Sequence, residues 1–211
     1  MQQRQTVPME LYRTIRKEAS ETQIIEKSRF IAHAKPVESR EEAEEFIARI
    51  KGQYKDATHN VPAMVIGEGS QIQWASDDGE PQGTSGAPMV QMMVSEGLTN
   101  LVVVVTRYFG GIKLGTGGLV RAYTSSAKLA IEAAGICSVE EVSRLSVKID
   151  YTYLARIQQM DINIGNIEYG EKVVIEVLTP SEKEEEMKNI LANITSGSAE
   201  ILSITRGPEK I

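Results

Sequence analysis

The spacing of hydrophobic positions along the chain changes repeatedly, and it predicts a mixture of strands and helices. Residues 101–105 are an unbroken run of leucine and valine, which is typical of a strand buried on both faces. Residues 43–50 carry apolar side chains at the spacing of one helical face. Ser39 and Glu42 form a capping box before that helix, and Gly52 is expected to end it.

Further elements are predicted on both sides of these two. Before residue 136 they are extended segments in 12–37, a hairpin of 63–66 with 71–75, and helices in 87–96 and 119–134. After a boundary in residues 136–144 the order becomes β-α-β-β-α-β, with elements in 145–151, 154–160, 164–169, 172–178, 181–194 and 199–205. That order is the ferredoxin-like split βαβ. The sequence therefore predicts two domains, residues 1–143 and residues 144–211.

Two glycine-rich loops flank the buried run 101–105. The first loop, residues 76–86, reads SDDGEPQGTSG, and the second, residues 107–119, reads RYFGGIKLGTGGL. Nine of the 17 glycines lie between residues 79 and 118. Glycine is used where the backbone takes positive φ or approaches another group closely, so we expect a ligand site here. Because each loop leaves a strand and enters a helix, the two loops are predicted to face each other across one cleft.

The first loop concentrates carboxylates, and two interpretations of them stay open. Asp77, Asp78 and Glu80 could hold Mg²⁺ together with substrate phosphates, or serve in general acid–base chemistry. They could instead belong to a turn, with side chains that cap neighbouring backbone N–H groups. The same signature includes further turn-forming residues, Gly79, Pro81, Gly83, Thr84 and Gly86.

The glycines of the second loop predict a backbone anion site. They are Gly110, Gly111, Gly115, Gly117 and Gly118. They precede the predicted helix 119–134, whose unpaired first-turn N–H groups can receive phosphate. The spacing matches neither a Walker A loop nor a dinucleotide-binding fingerprint. The alternative is that these glycines allow the helix to pack closely on a strand.

The second loop also carries cationic and aromatic side chains. Arg107, Lys113 and Arg121 supply positive charge, and Tyr108 and Phe109 supply aromatic faces, which together suit single-stranded nucleic acid or a nucleotide. The alternative is that Phe109 lies in the core and that Arg107 pairs with Asp77 or Asp78.

Histidine provides little support for catalysis. His59 and Asn60 are expected to support the loops through hydrogen bonds, because the sequence does not establish a nucleophile beside a basic histidine.

Composition limits the kinds of partner. The net charge is −6, with −3 contributed by residues 1–143 and −3 by residues 144–211, so no basic domain marks a duplex-binding protein. Cys137 is the only cysteine, which excludes an intramolecular disulfide. With no apolar leader and no apolar run of about 20 residues, we expect a cytoplasmic protein that does not bind membranes.

The segments SDDGEPQGTSGAPM and NLVVVVTRYFGGIKLGTGGLVRAY resemble the diagnostic sequence of the IMPACT/YigZ family. KSRFIAHAKPV and DATHNVPA upstream are similar to it as well, so the resemblance covers about residues 20–135. Residues 144–208 resemble the small C-terminal domain of the bacterial members. The resemblance implies an α+β protein whose first domain is like domain 2 of ribosomal protein S5. It implies a second, ferredoxin-like domain similar to the last domain of elongation factor G.

The resemblance also implies a role near translation. Eukaryotic members are translational regulators that bind the ribosome-associated activator of a general-control kinase. Their N-terminal interaction domain is not in this sequence, and that pathway is not expected to transfer.

We therefore expect a non-enzymatic binding module whose two loops contact RNA, the ribosome or a translation factor. An enzyme acting on a phosphorylated small molecule or nucleotide with Mg²⁺, and a protein–protein adaptor, are the alternatives. The sequence does not define the oligomeric state.

Overall fold

The computed structural model of the protein describes residues 10–211, and in this range the chain forms ten strands and five α-helices. They fall into two compact units. One is Tyr12–Ser138, and the other is Val139–Ile211 together with the described residues up to Leu11. Within residues 10–211, there is no helix with the length and hydrophobicity that crossing a lipid bilayer requires.

The first half of the chain builds one antiparallel sheet with helices on both faces. The elements of this half, in chain order, are β1 (Glu10–Ile15), which pairs outside this sheet, and then β2 (Ala19–Ile25), β3 (Ser28–Pro36), α1 (Arg40–Gln53), β4 (His59–Ile66), β5 (Ile72–Ala75), α2 (Gly86–Ser95), β6 (Leu101–Tyr108) and α3 (Gly115–Ala134). The strand order is β2-β3-β6-β4-β5, which places β6 at the centre.

The central position of β6 explains its unbroken apolar sequence. Leu101, Val103 and Val105 belong to the core beneath α2 and α3. Val102 and Val104 belong to the core beneath α1 on the opposite face. Since successive side chains of a strand point to opposite faces, a strand covered on both sides needs apolar residues at every position. The predicted buried strand is confirmed.

Helix α1 forms as its sequence predicts. The Glu42 N–H donates to Ser39 Oγ at 3.2 Å, which caps the first turn. The Glu42 carboxylate accepts from the Glu38 N–H at 2.9 Å, one residue before the position that a standard capping box uses. The apolar face at 43, 46, 47 and 50 is buried. The helix continues to Gln53, one residue beyond the predicted end at Gly52.

Several element boundaries differ from the sequence prediction, and three of them lie beside the glycine-rich loops. β4 begins at His59 rather than residue 63, and β6 continues to Tyr108 rather than residue 105, because the two strands pair from His59↔Arg107 onward. α3 begins at Gly115 rather than residue 119. The strands and the helix therefore extend into residues that the sequence assigned to loops.

The second unit has the ferredoxin-like topology. Its elements are β7 (Ile136–Ile149), α4 (Tyr151–Gln158), β8 (Asn163–Tyr169), β9 (Val173–Pro180), a short 3-10 turn (Ser181–Lys183), α5 (Glu184–Ile194) and β10 (Glu200–Lys210). These strands run β10-β7-β9-β8 with every neighbour antiparallel, and β1 belongs to the same sheet. Alternate apolar residues of β7 and β9 pack against α4 and α5.

The predicted fold class is confirmed: the chain is α+β, with an S5 domain 2-like domain followed by a ferredoxin-like domain. The boundary between residues 143 and 144 stays a prediction. The segment 136–144, which the sequence suggested as a boundary, is part of the continuous strand β7.

His33 of β3 is buried, and its protonation should affect how the free energy of unfolding depends on pH. The residue is 4% exposed, and its Nδ1 lies 2.7 Å from Ser20 Oγ. Burial, with a smaller effect of Arg49, lowers the pKa of His33 from 6.5 to about 4, although Glu18 opposes the shift.

We expect the free energy of unfolding to fall as the pH is lowered from 6.5 towards 4. In this window the unfolded chain binds a proton at His33 that the folded chain does not. His33→Gln should remove this part of the slope in urea titrations over the same pH range. Ser20→Ala is the matched control, because it deletes the neighbouring hydroxyl but keeps the imidazole and hence the slope. An unchanged slope in His33→Gln would contradict the assignment.

Candidate functional site

A buried ion pair joins the first glycine-rich loop to the end of β6, where the second loop begins. Arg107 Nη1 donates to Glu80 Oε1 at 2.6 Å, and the two side chains are 5% and 4% exposed. Tyr123 of α3 donates its hydroxyl to the same oxygen at 2.7 Å. His59 Nε2 lies 3.8 Å from it. The first loop, β4, β6 and α3 therefore meet at a single carboxylate oxygen.

Neighbouring hydroxyl groups form hydrogen bonds with both members of this ion pair. Burial, and next the hydrogen bond to Glu80, raise the pKa of the Tyr123 hydroxyl, so it remains a donor. Arg107 Nη2 lies 3.3 Å from Ser28 Oγ. Arg107 Nε has no hydrogen-bond partner within residues 10–211. The alternative pairing of Arg107 with Asp77 or Asp78 is wrong, and its partner is Glu80.

Asp77 organises the entry into α2. Its Oδ1 accepts from the N–H groups of Ser85 and Gly86 at 3.1 and 3.0 Å and from the Ser85 hydroxyl at 2.6 Å. Its Oδ2 accepts from the Gly83 N–H at 2.8 Å. Burial alone would raise the pKa of Asp77, but these hydrogen bonds hold it below its usual value. A carboxylate at this helix end also complements the helix dipole.

Asp78 connects the first loop to α1 and β4. Lys51 Nζ lies 2.5 Å from Asp78 Oδ1, and the Asn60 N–H donates to Oδ2 at 2.6 Å. The Asp78 carbonyl lies 2.8 Å from His59 Nδ1. Because a carbonyl only accepts, Nδ1 carries the hydrogen and the neutral ring has its lone pair on Nε2.

Asn60 lies inside β4, where its side chain bridges two neighbours. Its amide donates to the Tyr54 carbonyl at 3.0 Å, and its Oδ1 accepts from the Thr106 hydroxyl at 2.7 Å. His59 and Asn60 thus make the supporting hydrogen bonds that the sequence predicts.

The three carboxylates do not form the Mg²⁺ set suggested by their spacing. Each carboxylate has different hydrogen-bond partners. Asp77 accepts from the start of α2, Asp78 accepts from Lys51 and Asn60, and Glu80 accepts from Arg107. Across residues 10–211 no cluster of three or more His, Cys, Asp and Glu side chains is arranged to hold a metal ion. The turn interpretation describes Asp77 and Asp78, and Glu80 is a buried ion-pair partner.

The other residues of the first loop determine the course of its backbone. Gly79 and Gly83 have φ of 88° and 75°, which favours glycine. Thr84 donates its hydroxyl to the Pro81 carbonyl at 2.6 Å. A Cβ at Gly86 would lie 2.7 Å from the carbonyl oxygen of Ser76, so this position needs glycine for packing.

The start of the second loop is more ordered than the sequence suggests. Tyr108, still in β6, donates its hydroxyl to Asp56 at 2.9 Å, and the Arg29 guanidinium lies 4.3 Å from its ring centre. A Cβ at Gly110 would lie 2.0 Å from a backbone carbon of Lys27. Gly110 therefore serves packing against the β2–β3 turn, while Gly111 adopts φ of 86°.

A pocket of about 440 Å³ opens above the ion pair, and we call it the loop pocket. The first loop contributes Glu80 and Pro81, and the second contributes Phe109, Lys113 and Leu114. β4, β6 and the first turn of α3 also contribute to its lining, with His59, Arg107, Gly115 and Thr116. Both loops thus adjoin one cavity. Phe109 is 48% exposed, so the alternative that it lies in the core is wrong.

A second pocket of about 430 Å³ lies on the other side of the same segment, and we call it the hairpin pocket. It is lined by Ile25 and Glu26 of the β2–β3 hairpin and by Ile112, Gly118 and Arg121. Lys113 and Leu114 line both pockets.

The first turn of α3 supplies unpaired donors between these pockets. Gly115, Gly117 and Gly118 belong to that turn rather than preceding it. The first N–H groups of a helix have no intrahelical acceptor and carry partial positive charge. Lys113 and Arg121 are exposed, and no ion pair involves either of them within residues 10–211. These two cations, unlike Arg107, have no carboxylate partner among the described residues.

Sequence reasoning missed Tyr123, Lys51 and Ser28. Tyr123 is fully buried on the apolar face of α3, and a buried tyrosine usually bonds its hydroxyl to a partner. That signal is local, but its partner Glu80 is 43 residues away. Lys51 and Ser28 carry no local signal.

Comparisons with known proteins agree on one family. The Impact N-terminal domain matches residues 26–131, which contain both loops, and a domain of unknown function, DUF1949, matches residues 147–198. The chain is 41% identical over 190 residues to IMPACT family member YvyE of Bacillus subtilis (strain 168), covering 88% of each protein. It is 35% identical over 186 residues to IMPACT family member YigZ of Escherichia coli (strain K12), covering 85% of this chain and 91% of that one. A crystal structure of a hypothetical protein, 33% identical, superposes with a TM-score of 0.60 and covers 93% of this chain and 98% of its own.

Removing one partner of the buried pair should be more harmful than removing both charges. Arg107→Leu leaves the Glu80 carboxylate buried and uncompensated, and we expect it to lower the free energy of unfolding by about 3–5 kcal/mol. The double variant Arg107→Leu with Glu80→Gln should lose less of the free energy of unfolding, because it leaves no unpaired charge buried. Urea denaturation measures both variants.

The control for this comparison is the exposed pair Lys128–Glu96, with an N–O distance of 2.6 Å. Lys128→Ala should change the free energy of unfolding far less than Arg107→Leu does, because an exposed ion pair is screened by solvent. A double variant less stable than Arg107→Leu would show that the pair does not act through its buried charges.

Proposed function

The chain belongs to the IMPACT family, and from this premise we propose that it is a non-enzymatic binding protein of translation or its regulation. Its ligand is single-stranded RNA, held in the loop pocket. The role in translation is what the family resemblance implies. The choice of RNA rests on the chemistry of the pocket.

The observation that carries this proposal is the combination of groups in one cavity. An aromatic ring (Phe109), a lysine (Lys113) and the first turn of α3 line the loop pocket together. Proteins that bind single strands without reading a duplex combine aromatic platforms for bases with positive groups for the backbone. The net charge of −6 does not oppose such a site, because its donors are local and largely backbone N–H groups.

The Mg²⁺-dependent enzyme is less well supported by the geometry. Its ligands would have been Asp77, Asp78 and Glu80, and each of these carboxylates has different partners. A protein–protein adaptor would use the same loops as a rigid surface, and the experiment below separates it from an RNA-binding protein.

We expect the protein to bind a labelled single-stranded RNA of roughly 12 nucleotides, and to bind a duplex of the same sequence more weakly. Phe109→Ala should weaken binding by removing a stacking surface. Lys113→Ala should make the plot of log affinity against log salt shallower by about 0.7, the value of one phosphate contact to a single strand. Fluorescence anisotropy over a salt series measures these effects.

Two residues of α3 provide matched controls. Lys128→Ala removes one lysine, and Leu129→Ala removes one apolar side chain that is 38% exposed. Neither residue lines the loop pocket, so RNA affinity and the salt slope should be unchanged. If the wild-type protein binds a ribosomal or translation protein but no RNA, the adaptor interpretation replaces this proposal.

A further inference from the structure

Two pockets of nearly equal size flank the first turn of α3. The loop pocket, of about 440 Å³, includes Gly115 and Thr116, and the hairpin pocket, of about 430 Å³, includes Gly118. Lys113 and Leu114 line both. Each volume falls in the range of small-molecule sites. A ligand that fills both pockets has to cross the N-terminal turn of the helix.

The group that crosses this turn should be an anion with several acceptor oxygens. The N–H groups of Gly115, Thr116 and Gly117 have no acceptor inside the helix, and the helix end favours negative charge. Arg107 provides an independent indication. It lines the loop pocket, its residue is 4% exposed, and its Nε–H has no acceptor within residues 10–211. A buried donor without a partner is costly. Because Nε is itself enclosed, a ligand oxygen would satisfy it after a small shift of the guanidinium.

Gly117 gives a second indication, because neither conformation nor packing explains it. Gly115 has φ of 70° and Gly118 would place a Cβ 3.0 Å from Leu114 Cβ, so each has a structural reason to be glycine. Gly117 is outside the positive-φ set, and a Cβ there would meet only the end of the Arg121 side chain, at 3.6 Å. Glycine within a helix is less stable than alanine. Close approach of a ligand to the backbone would account for it.

The flanking pockets offer apolar surface for flat groups. Phe109 is 48% exposed at the loop pocket, and Ile112 is 37% exposed at the hairpin pocket. Arg121 lies at the hairpin pocket, and an arginine plane can stack on a base. Two flat apolar bodies joined by an anion are the chemistry of two adjacent nucleotides.

We propose that the first turn of α3 binds the phosphodiester between two adjacent nucleotides, with one base in the loop pocket and the other in the hairpin pocket. This inference rests on the proposed function. It adds how many nucleotides of the RNA the site recognises. The unit is a dinucleotide, and the phosphate that is recognised is the bridging one.

The test compares adenosine monophosphate with the dinucleoside monophosphate ApA by isothermal titration calorimetry. ApA carries less negative charge, yet we expect it to bind on the order of tenfold more tightly, because a second base is stacked. Ile112→Ser should reduce ApA affinity while leaving adenosine monophosphate affinity unchanged. Phe109→Ala should weaken both ligands, and Leu129→Ala neither. Equal affinity of the two ligands for the wild-type protein would overturn the inference.

Gly117→Ala tests the phosphodiester position separately. If the glycine serves ligand approach, the alanine variant should melt at a higher temperature than the wild-type protein and bind ApA at least several-fold more weakly. A lower melting temperature would show that the fold needs this glycine. Unchanged ApA binding would show that the phosphate lies elsewhere, and either result would overturn the inference.

The failure of this inference can be told from failure of the proposed function. If the longer single-stranded RNA binds but ApA binds no better than adenosine monophosphate, the dinucleotide unit is wrong and RNA binding stands. If the longer RNA does not bind, both proposals are wrong.

Discussion

The buried ion pair of Arg107 and Glu80 is the constraint on which the arrangement of the N-terminal unit depends. An unpaired charge in this position would be strongly destabilising, so β6 and the first loop must meet with both side chains in register. Tyr123 donates to the same oxygen and fixes α3 to that point. The N-terminal turn of α3 then lies beside the pocket that opens above the pair. One desolvated contact therefore positions both loops and the helix end that we propose as the ligand site.

The sequence predicted the parts of this arrangement that depend on local pattern. The run of valines in β6, the apolar face of α1 and the β-α-β-β-α-β order of the second half are all periodicities, and each is found in the structure. The choice of partner could not be predicted. Asp77, Asp78 and Glu80 are nearly adjacent in sequence, yet their partners come from α2, α1 and β6. The predicted loop boundaries were wrong because they also depend on contacts between distant residues. Pairing between β4 and β6 extends both strands beyond their apolar runs.

The glycines show how a concentration of one residue can have several causes. Gly110 and Gly86 avoid collisions with neighbouring backbone, and Gly79 occupies a positive-φ position. The sequence suggested a shared role in a ligand site, whereas the structure gives most of these positions an internal explanation. Gly117 is the informative exception, since its φ is ordinary and a Cβ there would make only a van der Waals contact with the end of the Arg121 side chain. A glycine whose presence the fold does not require is better support for a ligand than the number of glycines around it.

The same reasoning applies to the charged residues. Arg107, with its neighbours Tyr108 and Phe109, looks from the sequence like part of an electropositive loop, but its charge is neutralised by Glu80 inside the protein. The main groups left for an anion are the first-turn N–H groups of α3, with Lys113 and Arg121 at their sides, and Arg107 adds only its Nε–H, which has no partner among the described residues. Backbone donors on a rigid helix need no side-chain ordering when a ligand binds, and their partial charges act at short range. A protein with a net charge of −6 can therefore hold a phosphodiester without a basic surface, provided that the ligand also gains stacking surface in the flanking pockets.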